Sequence, residues 1–479
     1  MPSNPFPSSG SDTDFQRLFS AEPDATPAKL RLDDGSRVAV VGSGPAGSFF
    51  SYFLLDLAQR VSMDLQVDIY EPRDFSIPGP TGCNMCGGII SESLVQMLAT
   101  EGISLPATVV QRGIDSYMLH TDFGSVRIDT PLQEKRIAAV HRGSGPRDVK
   151  EVKWTSFDRY LHELAVEKGA RLVRDRVDHV IWPDGRPQVK TRRGSAQDYD
   201  LVAVGVGVNS AGAKLFQEAI PTYKPPQTTK TYICEYPLGH EAIQKYLGDS
   251  MHVFLLNIPR LEFAAVIPKG AYATVCLLGD EIDGPMIKSF LESPAVRACF
   301  PPETPLEPPC HCSPRINTDA AIQPFADRIV FIGDSGVTRL FKDGIGAAYR
   351  TAKAAAETAV FHGISSEDFR RHFWPICRKI EADNKIGKVI FALSRQWQKR
   401  PHDLRGILRM VSVEQLNKNR KPRMSTVLWD LFTGSAPYRE IILRGIHPVF
   451  LARFLWSVIV GNLPLGRAQR LAKTPVKTT

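Results

Sequence analysis

The segment RVAVVGSGPAG, residues 37–47, constrains the fold more than any other stretch of the chain. Apolar residues 38–41 predict a short buried strand that runs directly into Gly42, Gly44 and Gly47. In a G-x-G-x-x-G turn, the first glycine permits a tight turn and the second lets a pyrophosphate approach the backbone. The third lets the following helix pack on the sheet. The segment therefore predicts a strand–turn–helix unit that binds a dinucleotide.

The residues around this motif support that interpretation. A helix that starts near Pro45, at a position suited to proline, would direct its free N–H groups and the positive end of its dipole toward the phosphates. A second strand, Leu65–Tyr70, ends at Glu71, whose carboxylate suits the ribose hydroxyls of an adenosine. Glu71 follows Gly42 by 29 positions, more than the usual spacing of about 20, which we attribute to a longer helix. A glycine turn with a purely structural role is the alternative.

Length and composition set the broad class of protein. A chain of 479 residues predicts two or three domains, and a content of 43% hydrophobic and 23% charged residues is typical of a globular protein. No apolar run is long enough to predict a membrane-spanning helix, and no secretory signal is evident. The Ser-, Pro- and Asp-rich residues 1–34 predict a disordered leader. Eight cysteines without such a signal favour reduced thiols and a cytoplasmic location.

The positive charge is concentrated at the C-terminus. The net charge is +8, but residues 395–479 contain sixteen Lys/Arg and four Asp/Glu, so the rest of the chain is negative. A basic tail favours an anionic surface such as lipid headgroups, nucleic acid or an acidic partner. The apolar run 448–460, broken by Arg453, is too short to cross a bilayer but suits a helix that lies on one. The simpler interpretation is a helix packed on the protein body, and peripheral membrane contact through the basic tail is the alternative. We expect no nucleic-acid binding.

The remaining pattern alternates between helices and strands. Residues 155–169 predict an amphipathic helix, residues 171–182 and 199–212 predict strands, and residues 228–280 predict a β-rich unit. Residues 328–332 predict a strand that meets a glycine turn and then a long alanine-rich helix. From residue 365 onward the pattern is helical.

Three separated segments fit a common template: GSGPAG at 42–47, SFDRYL at 156–161, and GDSG at 333–336 with KDGIGAA at 342–348. Together they resemble the flavoprotein superfamily that includes p-hydroxybenzoate hydroxylase and the geranylgeranyl reductases, over roughly residues 36–395. The resemblance implies bound FAD, with Gly333 and Asp334 at its ribityl chain and pyrophosphate. It also implies a helix N-terminus at the flavin ring, where free N–H groups would stabilise the negative charge of the reduced ring.

Within this superfamily the sequence is most similar to the geranylgeranyl reductases. Such enzymes carry a cysteine–glycine motif, here Cys86, Gly87 and Gly88, and a strand that ends like VIPKG, Val266–Gly270. They are reduced by a nicotinamide or another donor and saturate isoprenoid double bonds. The resemblance therefore implies a C=C reductase with an apolar or lipid substrate, FAD, and NAD(P)H as a transient donor. Cys86 is the predicted proton donor to the substrate carbon.

Some positions depart from the superfamily pattern. Trp154 stands where an arginine is usual, and the segment VGVGVNS at 204–210 lacks the usual acid, which argues against ordinary NADPH-dependent aromatic hydroxylation and leaves the donor open. A flavin-dependent monooxygenase or halogenase-like enzyme is one alternative. An electron-transfer flavoprotein that donates to quinone or a protein partner is another. Cys83/Cys86 and Cys310/Cys312 allow a metal or iron–sulfur site or a redox disulfide, but ordinary thiols are the simpler reading, so we predict no metal.

We therefore predict an α/β fold with a Rossmann-like FAD-binding domain built from discontinuous segments, a β-sheet substrate domain and a helical C-terminal extension. After the leader, the FAD-binding segments are 35–106, 143–212 and 315–364, the substrate segments are 107–142 and 213–314, and the basic helical extension is 365–479. Lys342 and Asp343 either fix the flavin turn or face the substrate. The predicted cofactor-binding residues are Gly42, Gly44, Pro45, Ala46, Gly47, Glu71, Cys86, Gly87, Gly88, Gly333, Asp334, Gly344, Ile345, Gly346 and Ala347.

Overall fold

The computed structural model describes residues 30–79, 86–130, 137–147, 149–417, 419 and 421–463. It confirms the predicted α/β architecture with a helical C-terminal region. The strands are β1 Ser36–Val41, β2 Leu65–Tyr70, β3 Ile89–Ile90, β4 Val110–Ile114, β5 Ser116–Thr121, β6 Gly124–Asp129, β7 Ile137–Val140, β8 Arg171–Val173, β9 Val177–Ile181, β10 Gln188–Thr191, β11 Gln197–Asp198, β12 Leu201–Val204, β13 Thr228–Lys230, β14 Tyr232–Pro237, β15 Ser250–Leu255, β16 Leu261–Lys269, β17 Tyr272–Gly279, β18 Cys310–Cys312, β19 Arg315–Asn317, β20 Phe325–Ala326 and β21 Ile329–Phe331.

The helices surround these strands and dominate the last third of the chain. They are α1 Pro45–Arg60, α2 Glu92–Thr100, α3 Phe157–Glu167, α4 Gly212–Ala219, α5 His240–Tyr246, α6 Gly284–Glu292, α7 Pro294–Arg297, α8 Gly344–Phe361, α9 Ser366–Asp368, α10 Trp374–Gln398, α11 Pro401–Leu416, α12 Arg423–Thr433, α13 Tyr438–Gly445 and α14 Pro448–Asn462. Single 3₁₀ turns occupy Pro183–Gly185 and Gly333–Ser335, and a π-helical turn occupies Phe369–Phe373.

The six-stranded sheet, in the order β20-β21-β12-β1-β2-β8, carries the glycine motif. Strand β1 lies between β12 and β2 and pairs in parallel with both. Helices α1 and α8 pack against each other on one face, where the ring of Tyr349 meets Phe49 and Phe53 edge-on at 5.6 and 5.3 Å. Strands β1, β2, β12 and β21 all end at one edge of this sheet, which is where ligands bind in open α/β folds.

The seven-stranded sheet, in the order β18-β14-β17-β16-β15-β5-β6, forms the second domain. One face packs on α5–α7, and the other face packs on the C-terminal helices α10–α13. On that second face, Tyr117 stacks on Trp429 at 5.3 Å and Phe263 stacks on Phe391 at 5.9 Å. The predicted C-terminal extension is thus helical, and it forms half of the core of the second domain.

Several predicted boundaries differ in the structure. The single strand predicted over 171–182 is wrong, because β8 pairs with β2 whereas β9 pairs with β10 in a separate antiparallel sheet. The residues between them, 174–176, are all charged, and the chain changes sheet there. The leader predicted over 1–34 lies outside the described residues up to position 29. Leu32, near its end, is buried in the core beside α1.

The first substrate segment is also divided between two sheets. Strands β5 and β6 join the seven-stranded sheet, whereas β4 and β7 pair with β3 in a small sheet of their own. Helix α4 straddles the predicted boundary at 212/213 and packs on the nucleotide domain, where Phe216 meets Phe331 edge-on at 5.9 Å. Contacts between remote segments set these boundaries, and local sequence patterns do not show them.

Candidate active site

A single cavity of about 630 Å³ opens at the carboxyl edge of the parallel sheet. It begins at the turn after β1, passes the start of α8 and continues against the seven-stranded sheet and α12. The two glycine turns that are remote in sequence, at Gly44 and Gly344, therefore share one cavity. The predicted cofactor residues in its wall are Gly42, Gly44, Pro45, Ala46, Glu71, Cys86, Gly87, Gly88, Asp334, Gly344 and Ile345.

The first glycine turn is shaped by packing at two positions and by open space at the third. A Cβ on Gly47 would lie 1.8 Å from the carbonyl oxygen of Gly42. Gly42 itself has φ +98, and a Cβ there would lie 2.7 Å from the carbonyl oxygen of Gly205 on the neighbouring strand. At Gly44, by contrast, the nearest atom to a built Cβ is Nη2 of Arg142, 3.7 Å away. The protein's own packing thus does not require a glycine at position 44, whereas a ligand seated on the turn would.

The start of α1 presents unsatisfied donors to this space. Gly44 is the N-cap, with no side-chain cap, and Pro45 is the first helical residue, as predicted. The Glu71 carboxylate is buried at the end of β2 and accepts hydrogen bonds from the backbone N–H groups of Ser43 and Arg73, both at 3.1 Å. Glu71 therefore holds the turn in place, and it lines the cavity beside it.

The late Gly-Asp turn lies directly against the first one. Gly333 has φ +58, and a Cβ there would lie 2.6 Å from the Cβ of Ala46. The backbone carbonyl of Asp334 accepts a hydrogen bond from Asn317 Nδ2 at 2.9 Å. Burial raises the pKa of Asp334, although Thr338 and Arg142 act in the opposite direction. These contacts join two segments that are almost 300 residues apart in sequence.

Asp343 fixes the start of α8. This residue has φ 53 and accepts hydrogen bonds from Ser91 Oγ at 3.0 Å and from Arg350 at 3.1 Å. A Cβ on Gly346 would lie 2.2 Å from Asp343 Oδ1. This glycine therefore makes room for the Asp343 carboxylate, and its place at a flavin ring stays a prediction. Ala347 is fully buried behind it.

Lys342, the neighbour of Asp343, lies against aromatic rings in the cavity wall. Its Nζ lies 4.0 Å from the ring centre of Phe263 and 5.5 Å from that of Phe432. The side chain is enclosed by protein and keeps part of its surface toward the cavity. Burial lowers its pKa to about 7. The two residues thus have different surroundings. Asp343 holds the turn at the start of α8, and Lys342 places a titratable amine in the cavity wall.

Lys269 links the two motifs that suggested a reductase. This buried lysine, from VIPKG, donates to the backbone carbonyl of Cys86 at 3.1 Å and to Glu235 Oε1 at 3.3 Å. Thr274 donates to the same carboxylate oxygen at 3.0 Å. The Nδ1 atom of His141 lies 3.8 Å from it, and burial and the Lys269 charge lower the pKa of His141. A buried polar cluster therefore positions the Cys-Gly-Gly segment in the cavity wall.

Arg142 is a site residue that the sequence reasoning missed. Its guanidinium forms a two-point ion pair with Asp158 at 2.9 and 2.7 Å, and the Asp158 side chain is fully buried at the start of α3. Burial opposes the charge on Arg142, but Asp158 outweighs it and raises the arginine pKa. Trp154, in the place of the usual arginine, stacks on His141 at 4.3 Å. The cation is thus supplied from the loop after β7, and the only sequence signal was the polar Gly-rich segment 141–148.

Four predicted cofactor residues do not line the cavity, although they shape it. They are Gly47, Gly333, Gly346 and Ala347. Each packs against a neighbouring turn or helix, so its role is to hold the lining residues in place.

The cysteine pairs have different surroundings. Cys83 lies outside the described residues, Cys86 is in the cavity wall, and Cys310 and Cys312 lie on β18. Within the described part of the chain, these three thiols do not form a group of metal ligands. A disulfide between Cys83 and Cys86 stays a prediction.

One group of metal-type ligands does occur in the described residues, away from the cavity. His120, His252 and Cys299 are buried with their ligand atoms within 4.8 Å of one another. His120 and His252 share a 2.9 Å hydrogen bond, and their outer nitrogens contact Ser125 Oγ at 2.7 Å and the Leu247 carbonyl at 3.4 Å. Burial lowers the two imidazole pKa values to about 4 and about 3. A chain of neutral hydrogen bonds accounts for these contacts, so we assign no metal to them.

Comparison with known proteins identifies the fold. No protein-family model matches the chain, and no curated protein matches it in sequence. A flavoprotein/dehydrogenase from Cytophaga hutchinsonii is similar with TM-score 0.56 at 12% identity, over 90% of this chain and 100% of that one. The halogenase PltM in complex with FAD is similar with TM-score 0.55 at 11% identity, over 92% and 93%. FqzB is similar with TM-score 0.54 at 13% identity, over 94% and 98%. At such identities the likeness shows a flavoprotein fold, and the nearer resemblance to geranylgeranyl reductases stays a prediction.

Proposed function

We propose that the protein is an FAD-dependent oxidoreductase that acts on an apolar substrate. The observation that carries this proposal is the single cavity, which joins both glycine turns to a chamber between the two domains. The similarity of the whole chain to solved flavoproteins supports it, because those structures share this two-domain arrangement over nearly their full length.

The cavity residues fit FAD. The free space at Gly44 and the uncapped start of α1 suit a pyrophosphate, and Glu71 lies where a ribose would follow. Asp334 and Gly344 line the same cavity and suit the ribityl chain and the ring. Bound FAD would supply two-electron oxidation–reduction chemistry, and the protein would supply position and electrostatics.

The part of the cavity beyond the proposed flavin position, which we call the chamber, favours an apolar substrate. Its apolar lining comes from β14–β17, the segment before α8, and α12: Ile233, Met251, Phe263, Ile267, Leu277, Phe341 and Phe432. Such a lining suits an isoprenoid or polyene chain, so our first choice is a reductase of C=C bonds. In that reaction the substrate takes a proton from the protein, and both Cys86 and Lys342 lie in the cavity wall to give it. NAD(P)H as the electron donor is part of this proposal.

A second candidate, a monooxygenase or halogenase-like enzyme, is favoured by Lys342. An amine with a pKa of about 7 in an apolar chamber can bind the oxygen of a phenolic ring and hold its proton. PltM has been solved with phloroglucinol and FAD, and its structure is similar to this chain with TM-score 0.53 at 12% identity. No structural observation favours the third alternative, electron transfer to quinone or a protein.

Two experiments test the proposal. The purified protein should be yellow and should release FAD on denaturation, and Asp334→Ala should strip the flavin. Asp319→Ala, which removes an exposed acid outside the cavity wall, should leave it bound. A protein that neither carries nor binds FAD would overturn the proposal.

The second experiment separates the two chemistries. The photoreduced holoenzyme is mixed without oxygen with a panel of polyprenyl, polyene and phenolic compounds, and then with oxygen and halide. Anaerobic reoxidation of the flavin with a product that gains two hydrogens supports the reductase. Oxygen uptake with a hydroxylated or halogenated product supports the second candidate. Parallel reductions with NADH and NADPH test the donor.

A further inference from the structure

The exposed apolar side chains of the described residues are concentrated at one place. Of nineteen large apolar residues that are exposed, eight lie within α13, α14 and their flanks, and their exposed fractions run from 41% to 62%. We call this set the apolar face; it comprises Leu443, Ile446, Val449, Leu451, Leu455, Trp456, Ile459 and Leu463. Single exposed apolar residues are ordinary, but a contiguous patch marks a surface that something covers.

Among the described residues, packing on the protein body covers the opposite side of α14. Phe450, Ser457 and Gly461 are the buried residues of this helix. The helix approaches α11 so closely that a Cβ on Gly406 would lie 2.4 Å from Val458. A helix that is apolar on nearly all sides is normally buried on all sides. Simple packing on the body therefore explains one side of α14 and leaves the apolar face unaccounted for.

The charges around this face are positive. Residues 441–479 contain six Lys/Arg and no Asp/Glu, and four of the six follow the last described residue. Arg405 contacts Asn462 at one end of α14, and Arg453 reaches the Lys421 carbonyl toward the other. The nearest acids are already paired: Arg444 contacts both Asp430 and Glu440, and Asp403 lies 3.9 Å from Arg400. An apolar surface bordered by positive charges complements an anionic bilayer.

We propose that α13 and α14 lie in the interface of an anionic bilayer, whose headgroups complement the positive charge of this part of the sequence. No single described helix is long and apolar enough to cross a membrane, and the one pair that would be, α13 with α14, is bent by 65°. The 15 residues of α14 extend about 22 Å, less than the about 30 Å of a hydrocarbon core. The helix therefore lies along the surface. This site is independent of the flavin cavity and would place the enzyme beside lipid-soluble substrates.

Vesicle flotation of the full-length holoprotein tests the proposal. The protein should float with vesicles of phosphatidylcholine and phosphatidylserine, and at least about tenfold less with phosphatidylcholine alone. The double variant Leu455→Asp/Trp456→Asp should lose flotation to the same degree. Ile181→Asp, which places one charge on an exposed apolar residue of β9, should float as the wild type does. Unchanged flavin content and melting temperature show that the variants are folded.

The other outcomes are equally decisive. Truncation after Leu463 should leave weak binding without preference for the anionic lipid. Brominated lipid should quench the tryptophan fluorescence of the wild type more than that of the Trp456→Phe variant, because Trp456 would lie in the acyl region of the bilayer. The proposal is overturned if the wild type floats with neither kind of vesicle, or if the double variant still floats. A dimer that Leu455→Asp dissociates, without vesicle binding, would assign the apolar face to a second copy of the chain.

Discussion

Two glycines of one motif should respond in opposite ways to the same substitution. Gly44→Ala adds a methyl group whose nearest neighbour in the flavin-free protein is 3.7 Å away, at a backbone conformation that alanine adopts freely. The only cost to the fold is a poorer N-cap, which should lower the free energy of unfolding by less than about 1 kcal/mol. Gly47→Ala places the same methyl 1.8 Å from the Gly42 carbonyl oxygen, so the backbone of the turn has to move. Forced overpacking of this kind should destabilise the protein by about 3 kcal/mol or more.

For FAD affinity we expect the reverse order, with the larger loss in the Gly44→Ala variant. A methyl group at position 44 occupies the space that a pyrophosphate needs, so FAD affinity should fall at least about tenfold, or about 1.4 kcal/mol. The assay has two parts: urea unfolding of the flavin-free protein, and titration of each variant with FAD by flavin fluorescence. If Gly44→Ala binds FAD as tightly as the wild type, the turn does not cradle the phosphates. If Gly44→Ala lowers the free energy of unfolding as much as Gly47→Ala does, there is no open space beside position 44.

Three further predictions concern buried charges. Arg142→Ala removes the two-point ion pair of the buried Asp158 carboxylate, so urea unfolding should show a loss of about 3–5 kcal/mol, which the added change Asp158→Asn should partly restore. Lys342 has a pKa of about 7 when folded against 10.5 as its usual value, so the unfolded chain binds more protons between those values and stability should rise with pH across that window. Lys342→Met should abolish that rise, and an unchanged slope between pH 7 and about pH 9.5 would contradict the assignment. Lys269→Met removes the donor to the Cys86 carbonyl and leaves Glu235 without its ammonium partner, so the flavin-to-protein ratio should fall, whereas Lys288→Met at an exposed site should not change it.

Local sequence patterns predicted the parts of the site that are formed by residues close to one another in the chain. A buried strand, a glycine turn and a helix start follow one another within residues 36–60, so their roles were readable from order and spacing. The same holds for the late turn at Gly333 and the start of α8 at Gly344. The packing of Gly346 on the Asp343 carboxylate was not readable in this way, because Ser91 from another segment fixes that carboxylate.

The chamber could not be predicted in this way. Lys342 acquires its surroundings from Phe263 on β16 and Phe432 on α12, which lie far from it and from each other in sequence. Arg142 was missed for the same reason, since it meets Asp158 across a loop. The absence of an arginine at position 154 therefore did not mean that the cavity wall lacks an arginine, because Arg142 lines it.

The position of Lys342 makes its charge depend on what fills the chamber. Two aromatic faces attract the ammonium ion, and burial opposes it, so the pKa settles near neutrality. An apolar chain in the chamber would exclude more water and favour the neutral amine, whereas a phenolate or carboxylate would favour the ammonium. In a reductase, the lowered pKa would make the ammonium a stronger acid that gives its proton to the substrate carbon, whereas a phenol-modifying enzyme needs a cation that stays. The direction in which a bound ligand moves the Lys342 pKa therefore discriminates between the two chemistries, because the same side chain would have to lose its proton in one and keep it in the other.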